Sequence, residues 1–255
     1  MTTALVTGAT AGIGESFTRL LASKGFDLVL VARDKKRLQE RANLLSKKYK
    51  VDVEVLQADL SVPAQLARVA RRLSNPKKPI EVLINNAGFG IKDSFLASNI
   101  EDELSLIDVL ARAPMQLMHA VLPQMLSRDS GTIINVSSVA SFIAGGTYSA
   151  AKSYLTVHTE SLHTELSNTN INISALCPGF THTEFHQRGK MKMSGLPNFM
   201  WLEADRVVAD SWRAAMAGKA ICIPGWQYKI LSTIARFGPR PLVRKPGIKV
   251  RARQR

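Results

Sequence analysis

Thr7-Gly8-Ala9-Thr10-Ala11-Gly12-Ile13-Gly14 connects a short apolar run, Ala4 to Val6, to an amphipathic segment, Glu15 to Ser23. This order predicts a β-strand, a glycine turn and an α-helix. The three glycines let the backbone turn tightly, approach a ligand closely and pack the helix against the strand. The N–H groups at the helix start then remain free for phosphate, which is typical of a pyrophosphate-binding turn. An ordinary strand-to-helix turn explains three glycines equally well.

Strand-like and helix-like segments alternate along most of the chain, which predicts an α/β fold with a parallel sheet and helices on both faces. We expect about seven strands in one doubly wound sheet, a single domain over residues 1–235 and a basic tail over residues 236–255. In such a sheet, ligands bind at the carboxyl ends of the strands, where the strand order reverses. The predicted strands are Ala4–Thr7, Leu28–Val31, Asp52–Gln57, Val82–Asn85, Thr132–Val136, Asn172–Leu176 and Ala220–Ile223.

Five further motifs follow predicted strands or open predicted helices. With the G-x-x-x-G-x-G spacing of the first turn and the Thr before it, they make residues 2–225 resemble the short-chain dehydrogenase/reductase family. The resemblance implies a single-domain Rossmann-type fold and an oxidoreductase that transfers a hydride between nicotinamide and a carbonyl or alcohol carbon. In chain order, the motifs are Asp59-Leu60, Asn85-Asn86-Ala87-Gly88, Ser138, Tyr148-x-x-x-Lys152 and Pro178-Gly179.

Tyr148 and Lys152 lie four residues apart in a predicted helix, so their side chains share one face. A phenol has an unperturbed pKa of about 10, and we expect the Lys152 ammonium and the positive nicotinamide to lower it. Tyr148 then acts as the acid in reduction and the base in oxidation. Ser138 can hold the substrate carbonyl oxygen, while Lys152 also binds the nicotinamide ribose. The interval from Ser138 to Tyr148 is shorter than in many family members, so Ser137 is an alternative to Ser138.

The resemblance also implies contacts to the cofactor. The Asp59 carboxylate accepts from the adenine amino group and Leu60 offers a backbone contact. The Asn-Asn-Ala-Gly segment touches the ribose, Pro178-Gly179 the nicotinamide carboxamide, and the following threonines the pyrophosphate. Taken alone, Asp59 reads as a helix cap before Pro63 and the Asn-rich segment as a plain turn. The predicted cofactor residues are Gly8, Thr10, Ala11, Gly12, Ile13, Gly14, Arg33, Asp59, Leu60, Asn86, Ala87, Gly88, Tyr148, Lys152, Pro178, Gly179, Thr181 and Thr183.

The end of the second predicted strand decides between NADP and NAD. Arg33 stands where a residue meets the adenosine ribose, and its guanidinium offers a planar fork to a 2′-phosphate. A carboxylate there would instead accept from the 2′-hydroxyl and repel the phosphate. The sequence therefore predicts NADP(H). Two alternatives remain: Arg33 belongs to a solvated helix start with Lys35, Lys36 and Arg37, or Asp34 turns toward the ribose.

Residues 181–203 are predicted to form a mobile lid over the substrate, because apolar side chains alternate there with Lys, Arg and Gly. This lining favours a small apolar ketone, aldehyde or alcohol, and surface packing of an irregular loop is the alternative. His182 and His186 lack the glutamate placement of H-E-x-x-H, so no metal is expected. The apolar lid residues are Phe185, Met191, Met193, Leu196, Phe199, Met200 and Trp201.

Leu110 departs from the family pattern, which has an Asn at this position. In the family, that Asn bends its helix so that a main-chain carbonyl holds a water linked to the catalytic lysine. Leucine cannot make this side-chain bond and is a strong helix former, so we expect an uninterrupted α-helix, an altered proton relay and slow turnover. The alternative function is a catalytically weakened NADP(H)-binding protein with an interaction or regulatory role.

The formal charge is +14, and much of it lies in a late run without Asp or Glu. We predict Trp226–Phe237 as the final helix and the basic remainder as a solvated tail. Weak contact of the tail with an anionic surface is a further hypothesis, whereas nucleic acid is not an expected partner. The run contains Arg236, Arg240, Arg244, Lys245, Lys249, Arg251, Arg253 and Arg255.

Composition narrows the class of protein further. No apolar run approaches the ~20 residues that span a bilayer, and no leader is recognised before the first strand. Cys177 and Cys222, the only cysteines, do not suggest a disulfide framework. No G-x-S-x-G elbow is present, which counts against a serine hydrolase. We therefore expect a cytoplasmic protein. We also expect an enzyme that acts on a small molecule as a homodimer or homotetramer.

Overall fold

The computed structural model describes residues 2–184, 197–239, 241 and 243. Within them, seven strands form one sheet in the order β3-β2-β1-β4-β5-β6-β7. Every neighbouring pair is parallel. The strands are β1 (Thr3–Thr7), β2 (Asp27–Ala32), β3 (Val53–Gln57), β4 (Val82–Asn85), β5 (Gly131–Val136), β6 (Ile171–Leu176) and β7 (Ile221–Cys222).

Helices connect the strands and cover both faces of the sheet. A π-helical turn, Asp108–Arg112, joins the fourth helix to the fifth, and 3₁₀ turns occupy Val139–Phe142 and Asn198–Met200. The α-helices are α1 (Gly12–Ser23), α2 (Lys35–Tyr49), α3 (Pro63–Leu73), α4 (Ile100–Ile107), α5 (Ala113–Arg128), α6 (Thr147–Glu165), α7 (Ala204–Met216) and α8 (Trp226–Phe237).

Alternate residues of the central strands enter two apolar cores, one on each face. In β1, Leu5 packs in the core covered by α3 to α6, whereas Ala4 and Val6 pack in the core covered by α1, α2, α7 and α8. In β4, Leu83 and Ile84 divide in the same way. Strands buried on both faces are nearly continuous apolar runs, which is why sequence alone located them.

The predicted fold class is confirmed. All seven predicted strands are present with bounds within one residue of the structure, and a helix has the predicted bounds Trp226–Phe237. It is not the final helix as expected, because Pro241 and Val243 are also helical and the Val243 side chain is buried. β1 lies between β2 and β4, so the strand order reverses beside it. This reversal places the carboxyl ends of β1 and β4 at the point where doubly wound folds bind ligands.

Some predictions fall outside the described residues. These are the lid residues Phe185, Met191, Met193 and Leu196, together with His186, Arg240 and the tail over residues 244–255. Of the predicted lid segment, residues 181–184 and 197–203 are described, and Thr181 pairs there with Leu202 as an isolated parallel bridge. In the described part of the chain, no helix combines the length and apolar character needed to cross a membrane.

Among the glycines of the first turn, Gly14 has the least space for a side chain. A Cβ atom there would lie 2.2 Å from the carbonyl oxygen of Gly8 and 2.3 Å from Nδ2 of Asn86. Both atoms are held by hydrogen bonds between strands, so they cannot move aside cheaply. We expect Gly14→Ala to lower the free energy of unfolding by about 1–3 kcal/mol, as overpacking does elsewhere.

Gly145→Ala is the matched control in urea unfolding. Among the described residues, its added Cβ would meet only the side chain of Ser149, whose hydroxyl oxygen lies 2.5 Å away at the end of a rotatable bond. We therefore expect Gly145→Ala to unfold close to wild type. Equal unfolding midpoints for the two variants would contradict the constraint at Gly14.

Candidate active site

Hydrogen bonds between the ends of β1 and β4 fix the glycine turn. The Asn86 side-chain amide donates to the carbonyl oxygens of Thr7, at 2.9 Å, and Gly8, at 3.2 Å. In return, the Thr7 hydroxyl accepts from the backbone N–H groups of Asn86, at 2.9 Å, and Ala87, at 3.0 Å. Thr7 is fully buried. Thr7 was not among the predicted site residues, although its position directly before the first glycine of the motif was visible in the sequence.

The start of α1 leaves backbone donors directed toward the turn. Gly8 and Gly12 adopt left-handed φ values of 66° and 55°, which only glycine adopts readily. No side chain of the described residues caps the helix at Ala11, so its first-turn N–H groups are available to an anion. A Cβ on Gly12 would lie 2.9 Å from Cβ of Thr183, so Thr183 sits against the turn. Thr10 is buried beside it, and Ile13 is half-buried.

At the end of β2, Arg33 presents an exposed guanidinium. Its Nη1 lies 4.0 Å from Oδ2 of Asp59, and its backbone carbonyl accepts from Nε2 of Gln57 at 3.0 Å. Asp34 caps α2 by accepting from the backbone N–H of Arg37 at 3.0 Å. The carboxylate of Asp34 is thus engaged at the helix start, which leaves Arg33 as the charged group next to Asp59.

Arg37 makes a contact that sequence reasoning missed. Its guanidinium donates to both carboxylate oxygens of Glu184, at 3.1 and 2.9 Å. This bidentate pair raises the pKa of Arg37. It also joins the start of α2 to the segment that carries Thr183. Nothing local in the sequence links residues 147 positions apart.

Asp59 lies after β3 but does not cap α3. The cap residue of that helix is Val62, and Asp59 instead accepts from the backbone N–H and the hydroxyl of Ser61, at 2.9 and 2.7 Å. The helix-cap interpretation is therefore wrong. The second carboxylate oxygen faces Arg33, and Leu60 is buried next to Asp59.

Ser138, Tyr148 and Lys152 lie together beyond the end of β5. The Ser138 hydroxyl forms a hydrogen bond with the Tyr148 side chain and also accepts from the backbone N–H of Ala140 at 3.1 Å. The ammonium nitrogen of Lys152 lies 5.8 Å from the centre of the Tyr148 ring. It donates to the carbonyl oxygen of Val136 at 2.6 Å, which ties α6 to β5.

Ser137, the alternative to Ser138, points away from this cluster. It is buried, and its hydroxyl donates to the carbonyl oxygen of Lys152 at 2.9 Å and lies 2.7 Å from the Thr156 hydroxyl. Successive residues at a strand end face opposite sides. The geometry therefore favours Ser138 as the serine that faces Tyr148.

We expected Lys152 and the nicotinamide to lower the pKa of Tyr148, but the groups of the protein itself raise it. Burial raises the pKa of Tyr148 to about 12 and outweighs the hydrogen bond from Ser138, which lowers it. Burial also lowers the pKa of Lys152 to about 8, which weakens the ammonium as a source of positive charge. Both shifts follow from removing charged forms from water. Tyr148 is consequently a protonated phenol at neutral pH.

The helix around Leu110 is not the uninterrupted α-helix that was expected. Residues Asp108–Arg112 form a π-turn, in which the Ala113 N–H donates to the carbonyl of Asp108. Pro114 supplies the physical reason, since it has no N–H for the Leu110 carbonyl and its ring would clash with that carbonyl in an α-helix. Leu110 itself is fully buried. Pro114 was therefore the relevant signal, and the choice of Leu or Asn was not decisive.

Tyr228, on α8, is a positioning residue that sequence reasoning also missed. A Cβ on Gly179 would lie 2.0 Å from Cζ of Tyr228, so only glycine fits beneath the ring. The Tyr228 hydroxyl accepts from the Phe180 N–H at 3.0 Å and donates to the Met200 carbonyl at 2.5 Å. One side chain thus holds the segment after Pro178 and the end of the predicted lid.

Side chains around these segments are mainly aromatic and apolar. The ring of His182 stacks on Trp201 with their centres 4.7 Å apart, and Phe180 lies 5.9 Å from the same indole. The Thr181 hydroxyl donates to the Gly179 carbonyl at 3.0 Å. Phe89 packs with Tyr148 against the apolar core. The predicted site residues from β1, β4, β5 and α6 thus share one edge of the sheet.

The fold and this edge define a dinucleotide-binding α/β protein with a serine, a tyrosine and a lysine at its centre. The chain belongs to the short-chain dehydrogenase family, because a family model described as short chain dehydrogenase matches residues 2–193. It is an oxidoreductase of that family, as its sequence predicted.

Named relatives share this fold over most of their length. An NADP-dependent 3-hydroxy acid dehydrogenase of Schizosaccharomyces pombe is 36% identical over 188 residues, which cover 72% of this chain and 73% of the relative. A short-chain dehydrogenase from Sphingobium yanoikuyae in complex with NADPH is 34% identical, with a TM-score of 0.85, over 91% of this chain and 93% of that one. A bulky-bulky ketone specific alcohol dehydrogenase from Comamonas testosteroni is 30% identical, with a TM-score of 0.80, over 91% of both chains.

The lowered pKa of Lys152 predicts a pH-dependent contribution to stability. Between pH 8 and 10, this lysine is mainly neutral when folded but protonated when unfolded, so rising pH relieves a burial penalty. The free energy of unfolding of wild type should rise relative to Lys152→Met, by about 1.4 kcal/mol per pH unit at most. Urea unfolding of both proteins across this range measures the difference. Parallel pH profiles would show that Lys152 does not titrate there.

Proposed function

We propose that the protein is an NADP(H)-dependent oxidoreductase for small apolar ketones, aldehydes or alcohols. The observation that carries the proposal is the hydrogen bond between Ser138 and Tyr148, with the Lys152 ammonium 5.8 Å from the phenol ring. A protonated phenol held by a hydroxyl is suited to give a proton to a carbonyl oxygen. The site lies at the same sheet edge as the glycine turn.

The residues present fit a dinucleotide. Gly14 and Gly8 form a cradle that a Cβ would fill, and the uncapped start of α1 offers N–H donors to a pyrophosphate. Thr183 borders the same turn. Arg33 is exposed and positioned to pair with a 2′-phosphate, with Asp59 beside it for the adenine. The relatives from Schizosaccharomyces pombe and Sphingobium yanoikuyae, named for NADP and NADPH, support this choice.

Tyr148 moves the proton in the proposed mechanism. Bound NADP(H) supplies the hydride in reduction and accepts it in oxidation. Ser138 holds the substrate oxygen beside the Tyr148 hydroxyl, which donates its proton as negative charge develops on that oxygen. Lys152 would bind the nicotinamide ribose. Its positive charge then stabilises the phenolate that Tyr148 becomes once it has donated its proton. The raised pKa of Tyr148 keeps the phenol protonated until negative charge develops on the carbonyl oxygen.

The π-turn weakens the alternative of a cofactor-binding protein with little turnover. That alternative depended on an unbroken helix at Leu110, whereas Pro114 breaks the helix there. We propose that the main chain of the π-turn takes the place of the bend that the family builds with Asn. Proton supply to Lys152 then does not require an amide at position 110.

Apolar surroundings support the choice of substrate class. Phe89 and Ile91 pack in the same core as Tyr148, and Phe180 contacts Trp201. Such a lining desolvates a carbonyl and accommodates hydrocarbon groups on either side of it. The ketone-specific relative from Comamonas testosteroni agrees with this chemistry more closely than the 3-hydroxy acid dehydrogenase does.

Arg33 should decide cofactor preference. Losing one charge-assisted phosphate contact costs about 1.5–3 kcal/mol, so Arg33→Ala should bind NADPH at least about tenfold more weakly while NADH binding changes little. Titration of both nucleotides measures this. Lys47→Ala, an exposed lysine at the far end of α2, is the control and should leave both affinities unchanged. Equal affinities for NADPH and NADH in wild type would refute the assignment.

Turnover should depend on Tyr148 and Ser138. A screen of ketones and aldehydes by NADPH absorbance identifies a substrate, after which Tyr148→Phe should abolish reduction with NADPH binding retained. Ser138→Ala should lower kcat by about 10²–10⁴-fold, whereas Ser137→Ala should mainly lower the unfolding midpoint. Leu110→Asn should not raise the rate. An active Tyr148→Phe enzyme would disprove the mechanism, and rescue by Leu110→Asn would favour the cofactor-binding alternative.

A further inference from the structure

The outward face of α8 carries an uninterrupted apolar stripe. Trp226 is 68% exposed, Ile230 53%, Ile234 60% and Phe237 82%. Their spacing of four, four and three residues places them on one side of the helix. The opposite side is buried against the protein and includes Tyr228. The stripe is therefore not required to hold α8 on the core.

Positive charge borders one side of this stripe. Lys229 and Arg236, seven residues apart, lie on the same flank of the helix between the apolar and buried sides. Arg236 also approaches Glu160 at 3.6 Å and lies over the Phe142 ring. Lys229 lines a pocket beside the start of α8 with Arg213 and Lys219, and Asp210 is the one acidic residue among the described residues that line it. After Asp210, the sequence contains eleven Lys and Arg residues and no Asp or Glu. The protein's positive charge is thus concentrated around α8 and in the sequence that follows it.

An apolar helix face bordered by basic residues is typical of helices that lie in a lipid interface. The apolar side chains enter the boundary between headgroups and acyl chains, and aromatic residues such as Trp226 favour that depth. The basic residues approach anionic headgroups, and each one adds to binding within a Debye length of the surface. We propose that the α8 stripe, meaning Trp226, Ile230, Ile234 and Phe237, docks on an anionic phospholipid surface.

Charge favours lipid over a second copy of the chain as the occupant of this face. A two-fold contact through the α8 stripe would bring the same basic region of both copies together. Like charges across an interface oppose association, whereas an anionic surface attracts them. The first 210 residues contain 23 Lys and Arg against 20 Asp and Glu, whereas the residues after Asp210 contain 11 Lys and Arg and no Asp or Glu, so most of the excess positive charge lies in this last part of the sequence.

Docking would have a consequence for the candidate active site. Tyr228, on the buried face of α8, contacts Gly179 and holds Phe180 and Met200. A helix with its side chains is about 10–12 Å across, so this segment would lie about that distance from the lipid. If the proposed function holds, apolar substrates dissolved in the membrane would be close to the site.

Co-sedimentation of the full chain with vesicles tests the proposal. We expect binding to vesicles of phosphatidylcholine with phosphatidylglycerol, little binding to phosphatidylcholine alone, and loss of binding at high salt. The double variant Ile230→Ser/Ile234→Ser should bind at least tenfold more weakly. Leu44→Ser/Leu126→Ser, which removes two exposed apolar side chains from other helices, is the matched control and should bind as wild type. A blue shift of tryptophan emission on binding should disappear in Trp226→Phe.

Three outcomes would overturn the proposal. They are equal binding to both vesicle types, unchanged binding by the Ile230→Ser/Ile234→Ser variant, and a wild-type dimer that this variant dissociates in the absence of vesicle binding. Far-UV circular dichroism and NADPH titration confirm that each variant is folded. Because vesicle binding needs no turnover, failure of the proposed function leaves this test unaffected.

Discussion

The reciprocal hydrogen bonds between Thr7 and Asn86 are the constraint on which the site depends. They cross from β1 to β4 at the reversal of strand order, and each partner uses both side-chain and main-chain atoms. The same bonds fix the Gly8 carbonyl against which Gly14 packs. The glycine turn and the Asn-Ala-Gly segment are therefore positioned as one unit. A buried hydroxyl and amide that satisfy each other also avoid the penalty of unpaired polar groups between the two strands.

Sequence predicted the fold well because its signals are local and repeated. A strand buried on both faces needs several consecutive apolar residues, as in Leu28–Val31, and the glycine turn requires residue types that few other structures need. The candidate site was predictable where spacing along one helix brings residues together, as for Tyr148 and Lys152 on α6, whose chemical roles stay predictions. It was not predictable where a contact joins distant segments, as for Arg37 with Glu184 or Tyr228 with Gly179, since tertiary packing alone sets those pairs.

Two errors share a cause, because each weighed one residue without its surroundings. At Leu110, helix propensity was considered without Pro114. The missing N–H of Pro114 costs an α-helix several times more free energy than the difference in helix propensity between Leu and Asn. At Tyr148, the charge of Lys152 was considered without burial. Burial raises the pKa of the phenol and lowers that of the lysine, so each group moves toward its neutral form. At neutral pH, Tyr148 is therefore a neutral phenol, whereas Lys152, with a pKa of about 8, is still mainly protonated.

α8 connects the interior of the protein to its surface. Its buried face needs a ring at position 228, because the Tyr228 hydroxyl satisfies both the Phe180 N–H and the Met200 carbonyl. Its outward face makes no comparable demand, yet it carries Trp226, Ile234 and Phe237 where polar residues would keep the helix equally stable. Packing within the protein explains the residues on the buried face but does not explain the apolar residues on the outward face. An apolar stripe in so basic a region is accounted for by a surface that is anionic outside and apolar beneath, which describes a phospholipid bilayer.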